Sequence, residues 1–146
     1  MKKLLVSAML VMTLGFSSAA FADTKVAVVD IQAVVNKSAQ VQALKKEQQT
    51  KMQELEKWLQ TVRADVEKQQ TKEGKEKLIK KYDADFAKKQ EAIKKDYATK
   101  LQKIDRDITT VINKEAKAKG YTMVFAKGTV LFGGDDITND IIKLVK

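Results

Sequence analysis

The sequence predicts an α+β protein: a long antiparallel helical-hairpin arm, coiled-coil-like, projecting from a small β-barrel body shared between protomers. Three observations predict this class. Two long stretches repeat apolar residues at helical spacing on a Lys-, Gln- and Glu-rich background, interrupted by TKEG at residues 71–74. Short β-branched runs stand near either end of the chain, at residues 25–29 and 121–132. These strands are too few to enclose a core within one chain, so copies must pool them. The expected division is an export signal over 1–22, a β-rich oligomerisation body from 23–37 and 120–146, and an arm over 38–119.

The signal comes first. MKKLLVSAMLVMTLGFSSAAFA opens with Lys2 and Lys3, continues with an apolar run of about 13 residues, and ends on the small residues of an A-x-A-like site. A membrane span needs roughly 20 apolar residues, so cleavage near Ala22 is expected rather than a retained anchor. Loss of the two lysines lowers the formal charge from +9 to about +7. The Lys-Lys start and short apolar core suit a bacterial export signal, so the mature chain is expected to be exported.

Residues 25–29, KVAVV, have apolar side chains on both faces and read as a strand buried on each side. Asp30 is placed to cap a short helix bearing Ile31, Val34 and Val35. The first arm helix then carries Val41, Leu44, Met52, Leu55, Leu59, Val62 and Val66 over residues 38–70. Gly74 marks the expected reversal. The second helix, from about residue 75 to 119, carries Leu78, Tyr82, Phe86, Ile93, Tyr97, Leu101, Ile104, Ile108 and Val111. Tyr82, Ile93 and Ile104 lie 11 residues apart, which predicts a nearly straight or slightly right-handed arm instead of a zipper. A helix of about 45 residues is roughly 65 Å long and must protrude. Toward the turn, EKQQTKEGKEK lacks any apolar side chain, so the tip should fray or bend.

Gly120 is the expected C′ residue of the second helix, with Lys117 and Lys119 near the negative end of its dipole. Beyond it, residues 121–126 and 129–132 read as two strands joined by a Lys127-Gly128 hairpin turn. Asp135 and Asp136 read as a capping signal for a last helix bearing Ile137, Ile141, Ile142 and Val145. Val26, Val28, Val124, Val130 and Phe132 are the residues expected to build the shared body.

Composition narrows the function. There is no Cys, His or Pro, which removes thiolate nucleophiles, imidazole bases and the usual zinc or haem ligands. Asp83/Asp85 and Asp105/Asp107 are spaced i, i+2 and point apart on a helix, so neither makes an acid/base pair. Gly74-Lys75 has Gln69 where a phosphate-binding loop needs its first glycine, and Glu76 where it needs Ser or Thr. The expectation is a protein that is not an enzyme and takes no cofactor or metal.

Charge then points to the partner. Between Lys75 and Lys100 nine lysines face five acidic residues, a local excess of +4. Lys75, Lys77, Lys80, Lys81, Lys88, Lys89, Lys94 and Lys95 are the candidate contacts for an acidic client or an anionic lipid or lipopolysaccharide surface. Nucleic acid is disfavoured by export and by the lack of aromatics interleaved with the lysines.

With its signal peptide, KVAVVDIQAVV at residues 25–35, DITNDIIKLVK at residues 136–146 and the basic hairpin between them, the chain resembles the Skp/OmpH family of periplasmic chaperones. The resemblance covers essentially the whole mature chain. It implies a homotrimer with a β-barrel body and three arms around a cavity that holds unfolded outer-membrane proteins without ATP. The alternative is a structural or lipopolysaccharide-binding envelope coiled coil, which explains length and charge but makes no use of splayed arm tips.

Overall fold

A computed structural model describes residues 24–146; the expected export signal lies outside the described residues. Strand β1 (Val26–Val29) passes directly into helix α1 (Ile31–Lys37). Asp30 is the cap between them, its Oδ1 accepting the Ala33 N–H at 2.9 Å. The chain breaks step at buried Ser38, whose N–H closes α1 on the Val35 carbonyl, and α2 (Ala39–Lys68) begins. Helix α3 (Lys72–Ala118) returns antiparallel along α2. At 47 residues against 30, it outruns α2 and reaches into the β-rich end.

The reversal differs from expectation in one respect. Gln69 and Thr71 take the extended backbone that turns the chain, and Gly74 lies inside the first turn of α3. Thr71 Oγ1 accepts the Gly74 N–H at 3.1 Å, and a Cβ on Gly74 would sit 2.7 Å from that oxygen. Glycine is needed there by the cap, not by the turn. At the other end of α3, Gly120 adopts φ +77°. Its N–H reaches the Lys117 carbonyl at 3.1 Å and the Tyr121 N–H reaches the Ala116 carbonyl at 2.9 Å, the two bonds of a Schellman motif.

The described strands form a three-stranded parallel sheet in the order β2-β1-β3, with β2 at Met123–Ala126 and β3 at Asp135–Asp136. Val26 pairs with Met123 and Val28 with Phe125; on the other edge Val28 also pairs with Asp136. The expected antiparallel hairpin does not form. A two-residue type I′ turn needs positive φ at both central positions, but neither Lys127 nor Gly128 has it. Lys127–Thr129 instead makes a single 3₁₀ turn, with the Val130 N–H on the Lys127 carbonyl, and residues 129–132 leave the sheet. The positive φ values fall on Gly133 and Gly134, which redirect the chain to lay β3 beside β1. Helix α4 (Thr138–Val145) closes the structure.

Sidedness follows from the pleat. Ala27 and Val29 on β1 join Val34, the hairpin root (Val41, Leu44, Ile104, Ile108, Ile112, Ala116) and Ile137 and Ile141 in one core. Val26 and Val28 face the other way, toward Gly134, where an added Cβ would lie 2.9 Å from Val28 Cγ1. Along the arm, the expected seam holds at Val41, Leu44, Leu55, Ile104 and Ile108. Met52, Tyr97 and Leu101 are exposed, while Ile112 and Ala116 carry the stripe into the core.

Candidate functional site

The distal arm presents the basic surface. Lys75, Lys77, Lys80, Lys81, Lys88, Lys89, Lys94 and Lys95 are all exposed on α3. Lys77, Lys81, Lys88 and Lys95 follow one another by four, seven and seven residues, which at 3.6 residues per turn aligns them on one stripe. Lys80 and Lys94 fall to the side of that stripe, and Lys75 and Lys89 toward the seam. The lysines in ion pairs among the described residues are Lys51, Lys68, Lys100, Lys103, Lys119, Lys127 and Lys143. None of the eight candidates is among them.

Beneath this surface, the seam holds an aromatic group. Trp58 on α2 stacks against Phe86 with ring centroids 6.3 Å apart and meets Tyr82 edge-on at 5.9 Å. Lys89 Nζ lies 5.2 Å from the Trp58 ring centroid. Tyr82 also donates its hydroxyl to Asp65 Oδ2 at 2.9 Å across the hairpin, a bond that raises the phenol's pKa. Trp58 escapes the sequence analysis because a single aromatic between Lys57 and Leu59 does not stand out from the periodic stripe. Its spacing of three residues from Leu55 and four from Val62 is the signal that could have found it.

The β-rich end leaves much of its outer sheet face uncovered within one chain, although Val28 is buried beneath Gly134. Val26, Phe125, Val130, Phe132 and Gly134 line a concavity of about 480 Å³. Leu131 and Phe132 are fully exposed, and Met123 and Phe125 about half so. Of the residues expected in the body, Val26, Val130 and Phe132 come together here with Val28 beneath; Val124 is on the inner face, packed against the core. Met123, Phe125 and Leu131 are additional members. For Met123 and Phe125 this follows from the parallel register, in which β2 residues opposite Val26 and Val28 share their face; Leu131 lies outside the strands and adds only exposed apolar surface next to Phe132.

A polar knot ties this end together. Asp136 accepts from Lys127 Nζ at 2.7 Å, from Thr138 Oγ1 at 2.5 Å and from the Thr138 N–H at 3.0 Å. These donors, Lys127 foremost, hold its carboxyl down at about 2. Thr138 Oγ1 in turn accepts the Asp30 N–H at 2.8 Å, joining the start of α4 to the start of α1. The N-cap position of α4 falls on Ile137 and not on the expected Asp135 or Asp136; Asp136 lies one residue earlier, in β3, and reaches the Thr138 N–H from there. On the other side, Tyr121 donates to Asp135 at 3.0 Å and Lys119 bridges to Asp140. Among the described residues no group of three or more acidic side chains could hold a metal ion, and no helix is long and apolar enough to cross a membrane.

A family model described as outer membrane protein (OmpH-like) matches residues 25–145. The chain belongs to the OmpH-like family. Members of this family are periplasmic chaperones of outer-membrane proteins and not enzymes. The match spans strand, hairpin, sheet return and final helix, so the family assignment rests on the whole described architecture. No curated protein matches the chain.

Proposed function

We propose that this OmpH-like protein is an ATP-independent periplasmic holdase that binds unfolded outer-membrane β-barrel proteins between helical arms and prevents their aggregation. Three copies pool residues 23–37 and 120–146 into a barrel-like body through the outer sheet face, and residues 38–119 of each copy form an arm. Cleavage near Ala22 delivers the mature chain to the periplasm. The observation that carries the reading is the set of eight exposed lysines on distal α3, none of them in an ion pair, with Lys81 and Lys89 lying only against the Tyr82 and Trp58 rings. An unpaired cation costs a client carboxylate no internal exchange, so the stripe draws an acidic unfolded chain at a rate set by long-range attraction. Dispersed contacts then retain it, because many weak contacts in one enclosure raise avidity without a tight site. Anionic lipid and lipopolysaccharide head groups are a second surface that the same charge suits.

The decisive experiment dilutes a urea-unfolded outer-membrane β-barrel into buffer with purified protein and no nucleotide, and follows turbidity. Suppressed aggregation is expected. Charge reversal at Lys80, Lys81, Lys88 and Lys89 should slow stopped-flow capture of a labelled acidic client, as should raising salt to 1 M, where the Debye length is about 3 Å. Unchanged aggregation with the protein present refutes the holdase reading. A capture rate indifferent to charge reversal and to salt refutes the role given to the lysines.

A further inference from the structure

Midway along the arm the packing changes character. On α2 no residue between Leu44 and Leu55 is buried, and on α3 no residue before Ile104 is. The position that the apolar series 41, 44, 48, 52, 55 assigns to the seam is filled by Gln48, half-buried, with its Nε2 sealed from solvent and without a protein partner. Burying an amide without a hydrogen bond is unfavourable, so this level of the hairpin gains little from its interior. Four charges stand at the same level instead. Lys51 pairs with Glu47 on its own helix at 2.8 Å and with Asp96 across the hairpin; Lys100 pairs with Asp96 on its own helix at 3.1 Å and with Glu47 across it. Both cross-helix contacts are ion pairs, and the charges alternate around the ring. Each carboxyl is shifted down and each ammonium up by these neighbours.

We propose that Glu47, Lys51, Asp96 and Lys100 form an ionic clasp across a polar waist in the arm, and that an acidic polypeptide opens it by competing for Lys51 and Lys100. Below the waist the hairpin is fused to the core; above it, the aromatic group of Trp58, Tyr82 and Phe86 holds the two helices together. Among the described residues the ion pairs that link the two arm helices stand at the waist, so that is where the arm bends when the clasp is neutralised. The four side chains are a quarter to two-fifths exposed, which leaves them within reach of salt and of a competing carboxylate. The lysine stripe ends at Lys95, five residues before Lys100 on the same helix. Lys100 stands about 140° around the helix from Lys95, on the hairpin side, so an acidic segment bound along the stripe reaches the clasp by wrapping toward α2. This effector rests on the capture reading above; the clasp itself does not.

The chain has no cysteine, so Gln70→Cys at the tip and Asn139→Cys on α4, both exposed, take a pair of spin labels. Labelled chains are diluted into an excess of unlabelled protein and the distance distribution is measured by pulsed double-resonance spectroscopy. Neutralising the clasp (Glu47→Gln, Lys51→Gln, Asp96→Asn, Lys100→Gln) should raise the ratio of bent to straight arms about threefold to fivefold at low salt, the scale expected of surface ion pairs. Inverting it (Glu47→Lys, Lys51→Glu, Asp96→Lys, Lys100→Asp) should restore the narrow distribution, and 1 M salt should broaden both paired forms but not the neutral one. Poly-glutamate should broaden the unmodified protein at concentrations where it binds. Circular dichroism confirms that each variant stays helical. A neutral variant as narrow as the unmodified protein, or an inverted one as broad as the neutral, overturns the clasp. Poly-glutamate that binds without broadening overturns the coupling; poly-glutamate that does not bind overturns the capture reading, leaving the result of the variants to judge the clasp alone.

Discussion

Replacing Asp136 by Asn should destabilise the folded protein by about 1 kcal/mol at neutral pH, and by progressively less as the solution is acidified. The carboxylate accepts three hydrogen bonds, one of them from the Lys127 ammonium, and is held at about 2 against an ordinary 3.8. At 1.36 kcal/mol per pKa unit the difference would amount to roughly 2.5 kcal/mol. The side chains of Lys127 and Asp136 are 56% and 41% exposed, so solvent screening reduces this to about 1 kcal/mol. Because the folded-state value is depressed, the contribution is fully present above the unfolded carboxyl's pKa and is lost as pH falls from about 4 to about 2. At pH 3 roughly half should remain. Asn keeps an acceptor for the Thr138 N–H but cannot titrate. Urea unfolding followed by circular dichroism, on the unmodified protein and Asp136→Asn at pH 7 and pH 3, isolates this one group, since every other carboxylate is common to both. A gap equal at the two pH values, or absent at pH 7, refutes the assignment of the shift to this knot.

Phe132→Asp separates assembly from folding: Phe132 is 98% exposed in one chain, so the change should leave the helical signal intact yet dissociate a shared body, as read by multi-angle light scattering. An intact oligomer would contradict the role given to the outer face. Ile141→Ala removes a fully buried side chain from the junction of α4 with the sheet and hairpin root, and should lower stability by about 2–5 kcal/mol in urea titration. A loss below about 1 kcal/mol would mean that α4 is not integral to the core.

The arm was legible in the sequence because a helix is a local structure. Apolar spacing at Val41, Leu44 and Leu55 and again at Ile104 and Ile108, the Asp30 cap and the Gly120 terminator each depend on residues within a turn or two. The basic stripe was legible for the same reason: lysines at 77, 81, 88 and 95 share a face by helical geometry alone. The β-rich end was legible only in part. Composition located the strands, but the partner of β2 lies some hundred residues away in sequence, and parallel pairing with β1 leaves no local mark. Lys127-Gly128 has the appearance of a hairpin turn until the required backbone angles are considered, and the residues that turn the chain are Gly133 and Gly134. Likewise Trp58, Gln48 and the ring of Glu47, Lys51, Asp96 and Lys100 acquire meaning only when α2 and α3 are set in register, because their partners stand on the opposite helix. Periodicity and capping thus determined the elements, while the tertiary structure decided which strands meet, which apolar face is left open and where charge takes over from packing: contacts between distant residues depend on how elements are apposed, and no short window of sequence encodes that apposition.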